Sequence, residues 1–378
     1  MKRKSDYLAY GLWALFWVIL FVQTFYANLP SLVVQNYFNA AHAWLHTQPL
    51  YTGHDGGFVY LPFSAMVHTV FLPFPLWLAV ALYRTLLILV LLCSVWLFCR
   101  QIKQTWQLSN FFWVSLITIL LGFSTVLTGQ LNVVLAACFM VTTVCLWQGR
   151  WHTCGLLLAL VFGLKPTILP WALLVLVLFP RTVVAFVIGL VCVMGAPFLL
   201  QKTSYVISQY HLFWQNLQVM GHNSVADIHR WSQIFNVISQ TGWIMPYSLQ
   251  RIIVVLAGLG TLVWAWLAKR TYSLEKAILL LFVLGVIYLM LFNLRNEGND
   301  YVMIAPAYAV TLCLAWQQER KILSIFFGVL AIGVLGNYYF SQLLISGQTC
   351  WFAPFITLIF ALTALPFLFT AAAPASKD

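Results

Sequence analysis

The chain of 378 residues is 62% hydrophobic and only 7% charged, whereas a water-facing exterior needs roughly a quarter of its residues charged. That balance excludes a soluble globular protein and reads as a polytopic membrane protein. The net charge of +11 would suggest nucleic acid in a soluble chain; here Lys and Arg stand in short loops between apolar runs, where they set orientation, and no nucleic-acid partner is expected.

Runs of about 20 apolar residues, at 1.5 Å each, cross a hydrocarbon layer of about 30 Å. The first run, 8–26, follows Lys2, Arg3 and Lys4. It reads as an uncleaved span, because Phe25, Tyr26, Ala27 and Asn28 offer no small-residue cleavage site. Residues 27–76 form an outer loop with a helical stretch over 33–45, a turn-rich 52–57, and an interfacial or re-entrant helix over 58–75. Spans are expected over 77–99, 109–127, 131–148, 153–164, 168–180 and 183–200. Pro166 and Pro170 separate the two short ones, 153–164 and 168–180, which read as a broken hairpin. A second outer loop, 201–249, carries an amphipathic stretch and then GHNSVADIHRW. Spans over 250–268, 275–293, 302–316, 322–341 and 352–371 bring the total to about twelve. The expected architecture is a single all-α integral-membrane domain over 1–378, with interfacial helices in the first and a middle outer loop.

With the N-terminus inside, thirteen of the 19 Lys and Arg residues, from Lys2 to Lys377, fall on the cytoplasmic side. Four, Lys202, Arg230, Arg251 and Arg295, fall outside. Both termini are then cytoplasmic. Of the eight acidic residues, Asp55, Asp227, Glu297 and Asp300 lie in loops on the outer face, while Asp6, Glu275, Glu319 and Asp378 sit beside basic residues on the other. Chemistry is therefore expected outside. The eight Cys residues lie mostly in apolar segments without a C-x-x-C pair and read as small core residues.

In the loop YTGHDGGFVYLP, glycines allow close backbone approach to a ligand beside His54, Asp55 and Tyr60. Asp55 there is either a general base or part of a hydrophilic turn. Gln130 and Asn132, in TGQLN, interrupt an apolar stretch and either join helices or touch a ligand. Lys165, in FGLKP, places an ammonium at a helix break in the apolar layer with no acidic residue near it in sequence; it demands a wet cavity or a counter-ion, and a phosphate would serve. His222, Asn223, Ser224, Asp227 and Arg230 crowd into one outer stretch, suited to a sugar or phosphate or else to a hydrated loop. The connection at 295–300 brings Arg295, Glu297 and Asp300 to the membrane surface. No metal-ligand set stands out and no cofactor is expected, with a divalent metal left open.

At these positions the chain resembles the integral-membrane C-type glycosyltransferases, specifically glycosyltransferase family 87, which includes bacterial polyprenyl-phosphate-mannose-dependent alpha-mannosyltransferases. The likeness rests on YFNAAHAWLHTQPLY with FVYLPFSAM, on TGQLNVVLAACF, on GLLLALVFGLKPTILPWALLVL and on NEGNDYVMIAP. It implies a C-type glycosyltransferase fold in the bacterial cytoplasmic membrane. It also implies transfer of a hexose, mannose in the family's pattern, from a polyprenyl-phosphate donor to a lipid or glycan acceptor on the extracytoplasmic face. Lys165, Gln130, Asn132 and Arg230 are expected near the donor phosphate. His54, Tyr60, His222, Asn223, Ser224, Asp227 and Glu297 are expected near the substrates. The family's usual base is an Asp just before the first block, where residues 31–36 here read SLVVQN; Asp55 is nominated in its stead, with Asp300 second. The rival reading is a non-catalytic relative, a carrier for lipid-linked saccharide or an envelope-polysaccharide assembly partner.

Overall fold

The computed structural model describes residues 2–26, 31–51, 57–108, 110–226, 228–293, 295–345 and 349–371. Among them all regular structure is helical. The order begins with α1 (Lys2–Tyr26), α2 (Leu32–Leu45), α3 (Pro62–His68), α4 (Leu76–Trp106), α5 (Phe111–Leu127) and α6 (Asn132–Trp147). It continues with α7 (Trp151–Leu164), α8 (Leu169–Leu178), α9 (Val183–Leu200), α10 (Thr203–Ala226), α11 (Ile234–Ser239) and α12 (Tyr247–Thr271). It ends with α13 (Leu274–Phe292), α14 (Ala305–Gln317), α15 (Lys321–Leu335), α16 (Asn337–Leu344) and α17 (Phe352–Thr370).

Six helices, α1, α4, α9 with its preceding turn, α12, α13 and α17, are long and apolar enough to cross a membrane, and α15 with α16 makes a seventh candidate bent by 82°. Among the described residues, length and composition thus support six or seven of the twelve expected spans. The helices α5 to α8 are apolar but short, because turns at Gly129 (φ 70°), Gly149 (φ 66°) and Pro166 end them. A sequence window counts apolar residues straight through such breaks.

At the centre stands α13, buried at every residue from Lys276 to Leu291. Trp171 of α8 lies over its Gly285, where a Cβ would come within 2.6 Å of the indole. The same indole stacks near Phe139 of α6 (4.6 Å between centroids) and donates Nε1–H to Thr142 Oγ1 at 3.0 Å. Along α7, Gly155, Ala159 and Gly163 recur every four residues and admit α9 closely: Gly155 faces Thr182 and Phe186, Ala159 faces Gly189, and Gly163 faces Val193. The matching order makes α7 and α9 parallel, so α8 must run back between their ends. Its last turn, at Phe179, stacks on Trp151 at the start of α7 (5.8 Å). Residues 151–178 thus form a helical hairpin with Lys165 at its bend.

The two ends of the bundle differ. At one, Gln148 donates to Gln101 Oε1 (2.8 Å), Trp147 to Glu275 O (3.0 Å), and Lys276 Nζ caps the end of α17 through Phe369 O (2.8 Å) and Ala371 O (2.7 Å). At the other, the two long inter-helix segments pack on one another. There Gln201 donates to Trp44 O (2.7 Å), Tyr205 to Gln48 O (2.6 Å), and Leu50 N to Gln209 Oε1 (2.9 Å). The stretch expected as an interfacial helix over 58–75 contains the seven-residue α3, packed against α2, α7 and α9.

Candidate active site

Under that layer of packed segments lies a cavity of about 410 Å³. Its wall combines Asn36 and Tyr37 of α2, residues 57–60, the turn before α6 with Gln130 and Asn132, the hairpin bend at Lys165, and the α13–α14 connection with Asn293, Arg295, Glu297 and Asp300. Each element delivers its side chain for a local reason. Gly129 takes a positive φ, and a Cβ there would come within 2.3 Å of Val34 on α2; only glycine lets the turn carrying Gln130 press against α2. Pro166 forces its predecessor out of helical geometry. Lys165 accordingly sits at φ −148°, ψ 98° and leaves the axis of α7. Ser31 begins α2 by accepting from Val34 N (3.4 Å) while donating to Thr128 O (2.5 Å), tying α2 to that same turn.

The connection after α13 is shaped by reciprocal capping. Glu297 and Asp300 cap a short 3-10 turn, Gly298–Met303, each side chain accepting from the other's backbone N–H, with Glu297 N to Asp300 Oδ2 at 2.6 Å. From there a polar circuit closes across the cavity. Gln130 Nε2 donates to Glu297 Oε2 (3.0 Å), Asn132 Nδ2 donates to Gln130 Oε1 (2.7 Å), and Lys165 Nζ donates to Asn132 Oδ1. Lys165 Nζ also lies 3.9 Å from Asp300 Oδ1 and 5.9 Å from the Tyr60 ring centroid. Three distant parts of the chain therefore hold one ammonium beside one carboxylate. The sequence reading left Lys165 without an acidic neighbour; its counter-ion comes from a connection far along the chain, which local spacing does not reveal.

Burial pushes the Asp300 carboxyl up to about 6, and the Glu297 carboxylate adds to that push. The Lys165 ammonium and the Glu297 N–H pull the other way. A carboxyl so placed is a stronger base than a solvated one yet still ionises near neutral pH.

Gln130, Asn132, Lys165, Tyr60, Glu297 and Asp300 thus converge. Arg230 is exposed and does not line the cavity; its neighbour Trp231 does. His54, Asp55 and Asp227 lie outside the described residues, as do the side chains of His222, Asn223 and Ser224. Described backbone at Gly57, two residues after Asp55, lines the cavity. Sequence reasoning left out Asn36, Tyr37, Asn293, Trp231 and the place of Arg295 on the cavity wall. Tyr37 donates to Tyr60 OH (3.3 Å) and receives Leu131 N (3.5 Å), and the Arg295 guanidinium sits 4.6 Å from the Trp231 ring centroid. Asn36 and Arg295 were legible as polar residues flanking the recognised blocks. Among the described residues no three His, Cys, Asp or Glu side chains gather as metal ligands would.

The model of Glycosyltransferase family 87 matches residues 58–294, more than half of the chain. The match spans the stretch that supplies Tyr60, Gln130, Asn132 and Lys165. No curated protein and no solved structure matches the chain at a significant level. With apolar helices of membrane-crossing length and a cavity that joins the matched segments, the chain belongs to glycosyltransferase family 87 and is a glycosyltransferase of multi-pass membrane architecture.

Proposed function

We propose that this enzyme transfers a hexose, mannose by the family resemblance, from a polyprenyl-phosphate donor to a hydroxyl of a lipid or glycan acceptor, on the extracytoplasmic face of the bacterial cytoplasmic membrane. The observation that carries the proposal is the Glu297–Gln130–Asn132–Lys165–Asp300 circuit on the wall of the cavity. It supplies a cation for a phosphate leaving group and a buried carboxylate for an acceptor proton.

In this reading the acceptor oxygen attacks the anomeric carbon, the bond from that carbon to the phosphate oxygen breaks, and configuration inverts. Lys165 steadies the departing phosphate charge, and the Asn132 and Gln130 amides keep its ammonium in place. Asp300 takes the acceptor proton. Its Oδ2 already accepts from Glu297 N, but Oδ1 meets Lys165 at 3.9 Å, an ion pair beyond hydrogen-bond length, so Oδ1 retains lone pairs for a hydroxyl. Donor phosphate competes with Asp300 for Lys165, and its arrival turns the carboxylate towards the acceptor.

Depth supports a lipid-borne donor. The 16 residues of α6 and the 14 of α7 rise about 24 and 21 Å, against a hydrocarbon core of about 30 Å. If these helices start at the opposite interface, Lys165 stops short of the near one, at a level that a phosphate on a lipid chain reaches. The test is purified protein in detergent with a panel of polyprenyl-phosphate sugars and acceptors, following release of polyprenyl phosphate. Asp300→Asn should lower transfer roughly 10²-fold or more while donor binding persists. If only Asp55→Asn shows that pattern, the base is Asp55; donor binding without transfer by the unaltered protein would point to a carrier.

A further inference from the structure

At the end of the bundle opposite the cavity, a second pocket of about 140 Å³ lies between the start of α1, the end of α4 and the start of α5. Asp6, Arg100, Lys103 and Asn110 line it together with Tyr10 and Trp96. Asn110 is the telling residue. It is 1% exposed, occupies the N-cap position of α5 without capping it, and neither its Oδ1 nor its Nδ2 has a hydrogen-bond partner among the described residues. A buried amide with both groups unpaired bears the whole cost of their desolvation. A small turn of the Asn110 side chain towards the pocket would offer an occupant both a donor and an acceptor.

Charge narrows the choice. Arg100 and Lys103 set two cations against the one carboxylate of Asp6, which favours an occupant with an anionic centre. The Arg100 guanidinium lies 5.3 Å from the Trp96 ring centroid, and Trp96 and Tyr10 are exposed, as aromatic side chains at a membrane-water boundary are. Further along the same helices, α1 and α4 expose Leu15, Val18 and Leu89, apolar side chains of the kind that meet acyl chains.

We propose that this pocket binds the phosphate headgroup of a membrane phospholipid. Phosphate oxygens meet Arg100, Lys103 and Asn110 Nδ2, and a headgroup hydroxyl or ammonium meets Asp6 and Asn110 Oδ1. Inorganic phosphate shares the anionic centre and its P–OH can donate, but it makes no use of the flanking apolar side chains. The proposal does not rest on the transfer chemistry, which lies at the other end of the bundle.

Native mass spectrometry of the full chain, delipidated in detergent and then titrated with phosphatidylglycerol, phosphatidylethanolamine or inorganic phosphate, tests it. The unaltered protein should retain one phospholipid, and Arg100→Gln with Lys103→Gln should weaken that binding roughly tenfold or more. Both side chains are exposed, so the double variant should fold. Asn110→Leu, similar in bulk but without polar atoms, should weaken binding as well. Undiminished lipid retention in the Arg100/Lys103 variant would overturn the site, and inorganic phosphate binding as tightly as either lipid would overturn the assignment to a headgroup.

Discussion

An ammonium and a carboxylate taken out of water each lose hydration worth several kcal/mol, and Lys165 and Asp300, with side chains 12% and 7% exposed, recover only part of it through one another and the amides around them, since burial still outweighs the pairing at Asp300. Removing one partner strands the other. Lys165→Met should therefore destabilise the protein by about 3–5 kcal/mol, and adding Asp300→Asn should recover much of that loss. Thermal melts of the two single variants and the double in detergent measure the coupling; additive effects would show that the pair is not coupled. The pH dependence of Asp300 has a definite sign. Its folded pKa, about 6, lies above its ordinary value of 3.8, so the folded state holds the proton more tightly and stability falls as pH rises from about 4 to 6. Transfer, needing the ionised base, should instead rise through about pH 6. Asp300→Asn should flatten the stability slope in that window, and an unchanged slope would assign it to another group. Lys165 stood out in the sequence because an ammonium among apolar residues has few explanations. Asp300 stood out only as the second choice of base after Asp55, since a carboxylate in NEGND looks like any polar turn until its burial is seen.

At the scale of elements, the hairpin of α7 and α8 sets where Lys165 stands, and glycine sets how close α7 comes to α9. A Cβ on Gly155 would lie 2.4 Å from Thr182 O and 2.7 Å from Phe186 N. Those are backbone atoms, so relief requires the helices to part. Gly155→Ala should cost about 1–3 kcal/mol as an overpacked contact and should also lower donor affinity, because the far end of α7 carries Lys165. Gly195→Ala meets nothing within 4 Å and is the control on α9. A melting temperature and donor affinity at Gly155→Ala equal to the control would remove α7–α9 packing from the account of the site. The spacing of Gly155, Ala159 and Gly163 was visible in GLLLALVFG, as were Pro166 and the hairpin. The parallel run of α7 and α9 was not, because a stripe of small residues names a close neighbour without naming which helix it is.

For the whole molecule, the decisive question is which end of the bundle faces the cytoplasm. Arg100, Lys103, Arg150, Arg181, Lys269, Arg270, Lys276, Arg320 and Lys321 gather at the helix ends opposite the cavity, and the bias of Lys and Arg towards cytoplasmic loops puts that end inside. Composition made the membrane class and this asymmetry legible, whereas the shortness of α5 to α8 emerged only once turns replaced hydropathy windows. If the orientation holds, Lys202, exposed between α9 and α10 on the cavity side, and Glu319, exposed between α14 and α15, lie on opposite faces of the membrane. Single cysteines at these positions, in a background with the eight native ones replaced, should report it: a membrane-impermeant maleimide should label Lys202→Cys in intact cells and Glu319→Cys only after permeabilisation. The reverse pattern would turn the cavity towards the pool of nucleotide sugars. A lipid-linked donor would then lose its reason, because the carrier lipid serves to bring an activated sugar to a face where nucleotide sugars are not supplied.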